Sequence, residues 1–195
     1  EDAGAHILAI KDMAGLLKPA AASILIPALK KATDLPIHLH THDTSSNQTA
    51  MYLNAINNGI DVIDVSLSSM SGLTSQPNFN AIVAALEGNQ RENKVNLNSL
   101  NAYSNYWEDV RDFYYPFESG LKAGTAEVYE HEIPGGQYSN LRPQAIALGL
   151  DDKFEIIKKN YAIVNKMFGN IVKVTPSSKV VGDMALFMTA NGLTE

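Results

Sequence analysis

The sequence predicts an α/β chain in which three βα units with parallel strands are followed by an all-helical second half. Three observations predict it. Apolar runs of strand length alternate with helix-length segments over the first ninety residues. Each run ends in polar residues: Lys11-Asp12, His42-Asp43, and Ser66 to Ser69. Beyond the polar stretch Asn89 to Asn98 the strand pattern stops and helical segments take over.

The elements follow in order. Glu1 to Ala5 reads as the last turn of a helix, with Gly4 near its end. His6 to Ile10 is a short apolar run and reads as a buried strand. Lys18 to Thr33 reads as a helix with Pro19 in its first turn. Ile37 to His42 is the second strand. Asn47 to Asn58 is the second helix, stopped by Gly59. Val62 to Leu67, rich in β-branched residues, is the third strand. Ser71 to Pro77 is a loop, and Asn78 to Glu87 is a helix ending at Gly88. In the second half, Leu100 to Tyr115 is aromatic-rich and helical. Ala123 to Gln137 reads as irregular, with a turn at Pro134-Gly135-Gly136. Gln144 to Leu150, Lys153 to Phe168 and Pro176 to Asn191 read as helices, with Gly169 and Gly192 as stops.

Composition narrows the function. The 195 residues are 45% hydrophobic and 18% charged, ordinary for a chain with a sizeable core. A net charge of −6 argues against nucleic-acid binding, which needs a basic face. The absence of cysteine excludes a disulfide framework, a thiolate metal site and a Cys nucleophile. No apolar run approaches the ~20 residues of a membrane span. The acidic start, EDAGAHILAIK, does not read as a signal peptide, and suggests a chain that begins inside a larger fold.

The sharpest chemical signal is His38-Leu39-His40-Thr41-His42-Asp43. On a strand, residues i, i+2 and i+4 share a face, so three imidazoles line one side with His42 at its carboxyl end. Two such imidazoles can bite one metal ion; the plainer reading is a set of satisfied or surface histidines. Lys11 ends the first strand. A protonated lysine has no lone pair to offer a metal, so by itself it reads as a salt-bridged lysine. It can ligate only when neutral, or when CO₂ converts it to an anionic carbamate. Thr175-Pro176-Ser177-Ser178-Lys179 opens a helix, with Thr175 suited to the N-cap and Pro176 to the first helical position. Such a helix start can also hold an anion. The turn Glu132 to Gln137 is either a plain loop or, through its double glycine, a place of close backbone approach. Tyr103, Tyr106, Trp107, Phe113, Tyr114 and Tyr115 read as helix-packing surface.

Five segments carry a resemblance: Ile10 to Pro19, His38 to Ser45, Met70 to Pro77, Glu132 to Leu141, and Val174 to Asp183. Together they resemble the carboxyltransferase domains of biotin-dependent pyruvate carboxylases, in one order and across essentially the whole chain. Oxaloacetate decarboxylase α subunits and transcarboxylase 5S subunits are similar as well, and a non-catalytic assembly module with a vestigial site is a further alternative. The Thr-Ser-Gln-Pro and Tyr-Trp-Glu-Asp segments resemble pyruvate carboxylase more closely.

The resemblance implies the last three βα units of a TIM-type barrel (strands at residues 6–12, 37–43 and 62–68) followed by an all-helical funnel extension. Residues 1–95 would be the barrel part and 96–195 the extension. It implies that Lys11, as a carbamate, and His40 and His42 ligate a divalent metal, manganese or zinc, with His38 facing the same side without ligating. A fourth ligand, an aspartate, would lie on a barrel strand outside this sequence, as would the arginine and glutamine that grip pyruvate. Thr175 would pass a proton between pyruvate and biotin, and Ser178 would touch the biotin ring. The implied partners are pyruvate, a carboxybiotin carrier domain, the N-terminal barrel half, an ATP-using domain elsewhere, and further copies in a homo-oligomer, a tetramer. The implied location is cytoplasmic in a bacterium and the mitochondrial matrix in an animal, with no membrane or nucleic-acid partner. The implied product is oxaloacetate, and the 195 residues alone are expected to be inactive. One departure stands out: the family places glycine after His-Thr-His-Asp-Thr-Ser, where this sequence has Ser46-Asn47.

Overall fold

In the computed structural model, which describes residues 1–193, the first half forms a three-stranded parallel sheet in the order β1-β2-β3. β1 is Leu8–Asp12, β2 Ile37–Thr41 and β3 Val62–Ile63. The connections carry α1 (Pro19–Ala32) and α2 (Gln48–Asn57). α3 (Phe79–Ala85) follows the third strand. Ile37 and Leu39 are completely buried against Ala22 and Ile26 of α1 and Met51, Tyr52 and Ala55 of α2. Each such side chain contributes about 1.5–3 kcal/mol when removed from water. A one-residue slip of β2 would turn both outward, so this face fixes the register that puts the histidines on the other side.

The second half is helical. α4 (Leu97–Arg111) runs into a 3₁₀ turn at Asp112–Phe117. α5 (Val128–His131), α6 (Gly135–Ala147), α7 (Phe154–Met167) and α8 (Ser177–Ala190) follow. Ile133, Leu141, Ile157, Tyr161, Val164, Val181 and Ala185 form a second apolar core with no exposed surface. Among the described residues, no helix is long and apolar enough to cross a membrane.

Several boundaries differ from expectation. Glu1 to Ala5 is a hydrogen-bonded turn, Gly4 N–H to the Glu1 carbonyl, rather than a helix end. The third strand is only two residues long; Asp64 N–H still bonds to the Leu39 carbonyl at 3.2 Å, and beyond it a single parallel bridge joins Ser66 to Asn78. α6 starts nine residues before the expected Gln144. Pro134-Gly135-Gly136 is therefore the start of a helix rather than an isolated turn: Pro134 is its N-cap, and Tyr138 N–H returns to the Pro134 carbonyl at 2.8 Å. Glycine is a poor helix former, and tertiary contact overrides that preference here. Thr175 is not the N-cap of α8; Pro176 takes that position, and the Thr175–Pro176 bond is cis.

The departure at Ser46 has a visible structural consequence. Ser46 adopts a left-handed backbone with φ 60°, the conformation a glycine takes without strain. The loop keeps the glycine-type path with a serine in it, and Gly124 makes room. A Cβ on Gly124 would lie 2.1 Å from Ser46 Oγ and 2.9 Å from Ser46 N. Gly124→Ala is therefore expected to lower stability by about 1–3 kcal/mol. Adding Ser46→Gly should recover part of that loss, the backbone clash remaining. Urea unfolding of the two single variants and the double variant measures this, and strictly additive effects would contradict the contact.

Candidate metal and substrate site

The parallel register pairs Lys11 with His40, Ala9 with His38 and Asp12 with Thr41. Paired positions on neighbouring strands face the same way. Lys11 therefore shares a face with His38, His40 and His42, opposite the face that carries the apolar core. The loop after β1 is held by Asp12. Its carboxylate accepts the N–H groups of Leu16 (2.8 Å) and Leu17 (2.9 Å) and the Thr41 hydroxyl (3.0 Å). Thr41 Oγ1 also lies 3.2 Å from Gln48 Oε1, and the Gln48 amide nitrogen donates to the Gly15 carbonyl (2.8 Å). Gly15 has φ +73°, and a Cβ there would sit 2.1 Å from the His42 carbonyl oxygen, so only glycine lets the two loops meet.

The imidazoles are oriented by acceptors. Asp64, just past β3, accepts from His38 Nε2 and His40 Nδ1, both at 2.7 Å. Burial pushes its carboxyl up, but these two hydrogen bonds outweigh that and hold it below the usual carboxylate range. His42 Nδ1 lies 2.6 Å from the Thr74 carbonyl, which can only accept. In the neutral rings the proton therefore sits on Nδ1 and Nε2 is left bare. Those two Nε2 atoms face each other at 3.3 Å. Two bare nitrogens so placed can share one cation. A separation of 3.3 Å suits two nitrogen donors biting one ion at bonds of ~2.0–2.1 Å. Burial lowers the His42 pKa; His40 and Lys11 add to the push, while the Thr74 carbonyl and Asp12 oppose it. That keeps the ring neutral, as a ligand must be. Among the described residues, no three His, Cys, Asp or Glu side chains gather around one point; Lys11 is the residue that the β1–β2 register sets beside His40.

The helical half closes over His42. Gly135, the first residue of α6, donates its N–H to the Met13 carbonyl (2.9 Å). A Cβ on it would lie 2.5 Å from His42 Nδ1 and 2.8 Å from the Thr74 oxygen. Close approach was one of the two readings of the double glycine. It holds for Gly135, whereas a Cβ on Gly136 would meet nothing. Ser139, one turn on, donates to Thr74 Oγ1 at 2.7 Å.

Thr175 and Ser178 sit elsewhere. Thr175 is exposed in the segment leading into α8, and Ser178 is buried in the first turn of that helix. No hydrogen bond joins either to the histidines among the described residues. α6 is the element between them. Its first residue backs His42, and two residues on, Gln137 lies against Gly182 of α8, where a Cβ would come within 2.4 Å of its Nε2. Sequence reasoning missed Asp64 and Thr74. An acid inside a β-branched run was the available signal for Asp64, while Thr74 acts through its backbone and leaves none.

The chain belongs to the HMGL-like family, whose model matches residues 1–106, and residues 128–195 match a conserved carboxylase domain. Within that class, the particular likeness is to the carboxyltransferase domain of pyruvate carboxylase. The chain is 59% identical over its whole length to pyruvate carboxylase of Bacillus subtilis, and 51% identical over 98% of its length to the mitochondrial pyruvate carboxylase of Rattus norvegicus. It spans 17% of the length of each. The carboxyl transferase domain of Rhizobium etli pyruvate carboxylase superposes with a TM-score of 0.97 at 54% identity, covering 99% of this chain and 32% of that one. A second structure of that domain, with pyruvate and biocytin, matches equally well. The α/β architecture is that of this TIM-barrel-type domain.

His131 is buried in the turn that leads into α6, and its Nδ1 accepts the Ile133 N–H at 3.0 Å. Burial pushes its pKa down to about 4 from an ordinary 6.5, with Lys158 adding to the shift and Glu127, Glu155 and Glu132 opposing it. Between those two values the unfolded chain holds a proton that the folded chain refuses. Stability therefore falls as pH drops from 6.5 to 4, by up to about 3 kcal/mol. His131→Asn retains an acceptor and removes the titration. Its urea midpoint is expected to fall less steeply over this range than the parent's; a parent-like slope would show that His131 is not the source.

Proposed function

We propose that this chain supplies part of the carboxyltransferase site of a biotin-dependent pyruvate carboxylase, which moves a carboxyl group from carboxybiotin to pyruvate and yields oxaloacetate. The observation that carries the reading is the pair of facing Nε2 atoms with Lys11 across from them on β1. The likeness to the R. etli domain supports it, since that domain has been solved with pyruvate and biocytin. Residues 1–95 act as the barrel part and 96–195 as the extension, a division supported by the two separate apolar cores.

His40, His42 and Lys11 would hold a divalent cation, manganese or zinc. Lys11 qualifies once its neutral amine has added CO₂ and lost a proton, becoming an anionic oxygen donor. When bound, the cation draws off the negative charge that develops on the pyruvate oxygen during enolisation. Asp64 and the Thr74 carbonyl keep the two rings in the ligating tautomer. The Thr175 hydroxyl both accepts and donates, so it takes a proton from the pyruvate methyl group and delivers one to the biotin nitrogen left bare by loss of CO₂. Ser178 contacts the biotin ring. The α5 to α8 half excludes water that would quench the enolate. A carrier domain bearing biotin, an ATP-using domain and assembly into a homotetramer complete the enzyme. The relatives named above, a bacterial and a mitochondrial enzyme, favour the bacterial cytoplasm or the mitochondrial matrix as its location.

Thr175→Ala in the full-length protein tests this reading. Carboxyl transfer to pyruvate is expected to fall by about 10²–10⁴-fold with bound metal unchanged. Loss of metal would assign Thr175 a different role, and undiminished transfer would remove it from the proton path.

A further inference from the structure

The turn between α5 and α6 holds a carboxylate that the mechanism above does not use. Glu132 has a left-handed backbone, φ 55°, an unfavourable conformation for a residue with a side chain, and one held only where surrounding contacts demand it. Its Oε2 accepts from Lys173 Nζ at 2.8 Å and from Asn165 Nδ2 of α7 at 3.3 Å. The Lys173 side chain is 12% exposed and that of Glu132 39%, so solvent reaches the pair mainly from the carboxylate side.

Its place in the chain gives it a role. Glu132 lies three residues before Gly135, which backs His42. Lys173 lies two residues before Thr175. Among the described residues, the bonds of Ser177 Oγ with Val172 and Val174, and that of Ser178 N–H with Val174, stay within the segment and its adjoining helix. The Lys173–Glu132 bond is the one hydrogen bond by which residues 171–175 reach a different element. We propose that Glu132 and Lys173 form a positioning pair that fixes the Thr175 hydroxyl relative to the histidine site. They do so by tying the segment before α8 to the turn that supports His42. The inference rests on the reading of Thr175 as the proton relay. Neither residue touches substrate; both act through Thr175.

A displacement of about 1 Å at a reacting group can cost on the order of 10²-fold in rate. In the full-length protein, Glu132→Gln and Lys173→Met are therefore expected to lower kcat for pyruvate carboxylation about tenfold or more. KM for pyruvate should stay within about twofold and bound metal should not change, because what is lost is transition-state geometry rather than binding. Lys173→Arg, which keeps the charge and a donor, should restore kcat to near the parent value. Thr175→Ala is assayed in parallel, together with thermal midpoints. Parent-like kcat in both pair variants beside an inactive Thr175→Ala would overturn the pair and leave the proton relay standing. Parent-like Thr175→Ala would overturn both. Activity that falls only with the folded fraction or with metal content, and that Lys173→Arg does not restore, would make the pair merely structural and overturn the proposal.

Discussion

The site depends on one constraint: two imidazole nitrogens face each other at 3.3 Å, and in the neutral rings both are bare. That condition is set from behind. The Asp64 carboxylate and the Thr74 carbonyl are both pure acceptors toward the rings, and each draws the proton to the far nitrogen. Burying Ile37 and Leu39 contributes about 3–6 kcal/mol together, which holds β2 in the register that puts the histidines on the other face.

The helical half is built onto that site rather than appended to it. Thr125 N–H bonds to the Thr44 carbonyl at 2.8 Å, and Tyr129 OH lies 3.3 Å from Ser45 Oγ, both in the loop just after His42. Lys18, at the start of α1, stands 4.6 Å above the Tyr129 ring. The N-terminal end of α6 comes close enough to His42 that residue 135 can have no side chain. The positive end of a helix dipole beside an imidazole disfavours the imidazolium, in line with the downward effect of burial. Thus the extension contributes to keeping His42 neutral as well as to covering it.

What could be read from the sequence follows from the range of the interactions. The period of two at His38, His40 and His42 is local, and it placed three rings on one face correctly. The two βα connections came out within a few residues for the same reason. Lys11 was different. Its residue type alone argued for a salt bridge, and only the resemblance suggested a ligand; the β1–β2 register then put it opposite His40. Asp64 and Thr74 act across 24 and 32 residues of chain, and no spacing rule reaches that far. Pro134-Gly135-Gly136 looked like a turn because glycine disfavours helix, yet the contact with His42 requires glycine at the first position of one. Thr175-Pro176 carried the residues of a helix cap in the right order, but the cap falls one residue later.

The central claim is that Lys11, His40 and His42 converge on one cation. It is tested most directly by a crystal structure of the full-length, metal-replete protein with diffraction recorded at the metal's absorption edge. The account predicts a single anomalous peak within bonding distance of both Nε2 atoms, with planar carbamate density extending from Lys11 Nζ to the same peak. A peak elsewhere, or a bound ion with Lys11 as a free amine turned away from it, would contradict the account.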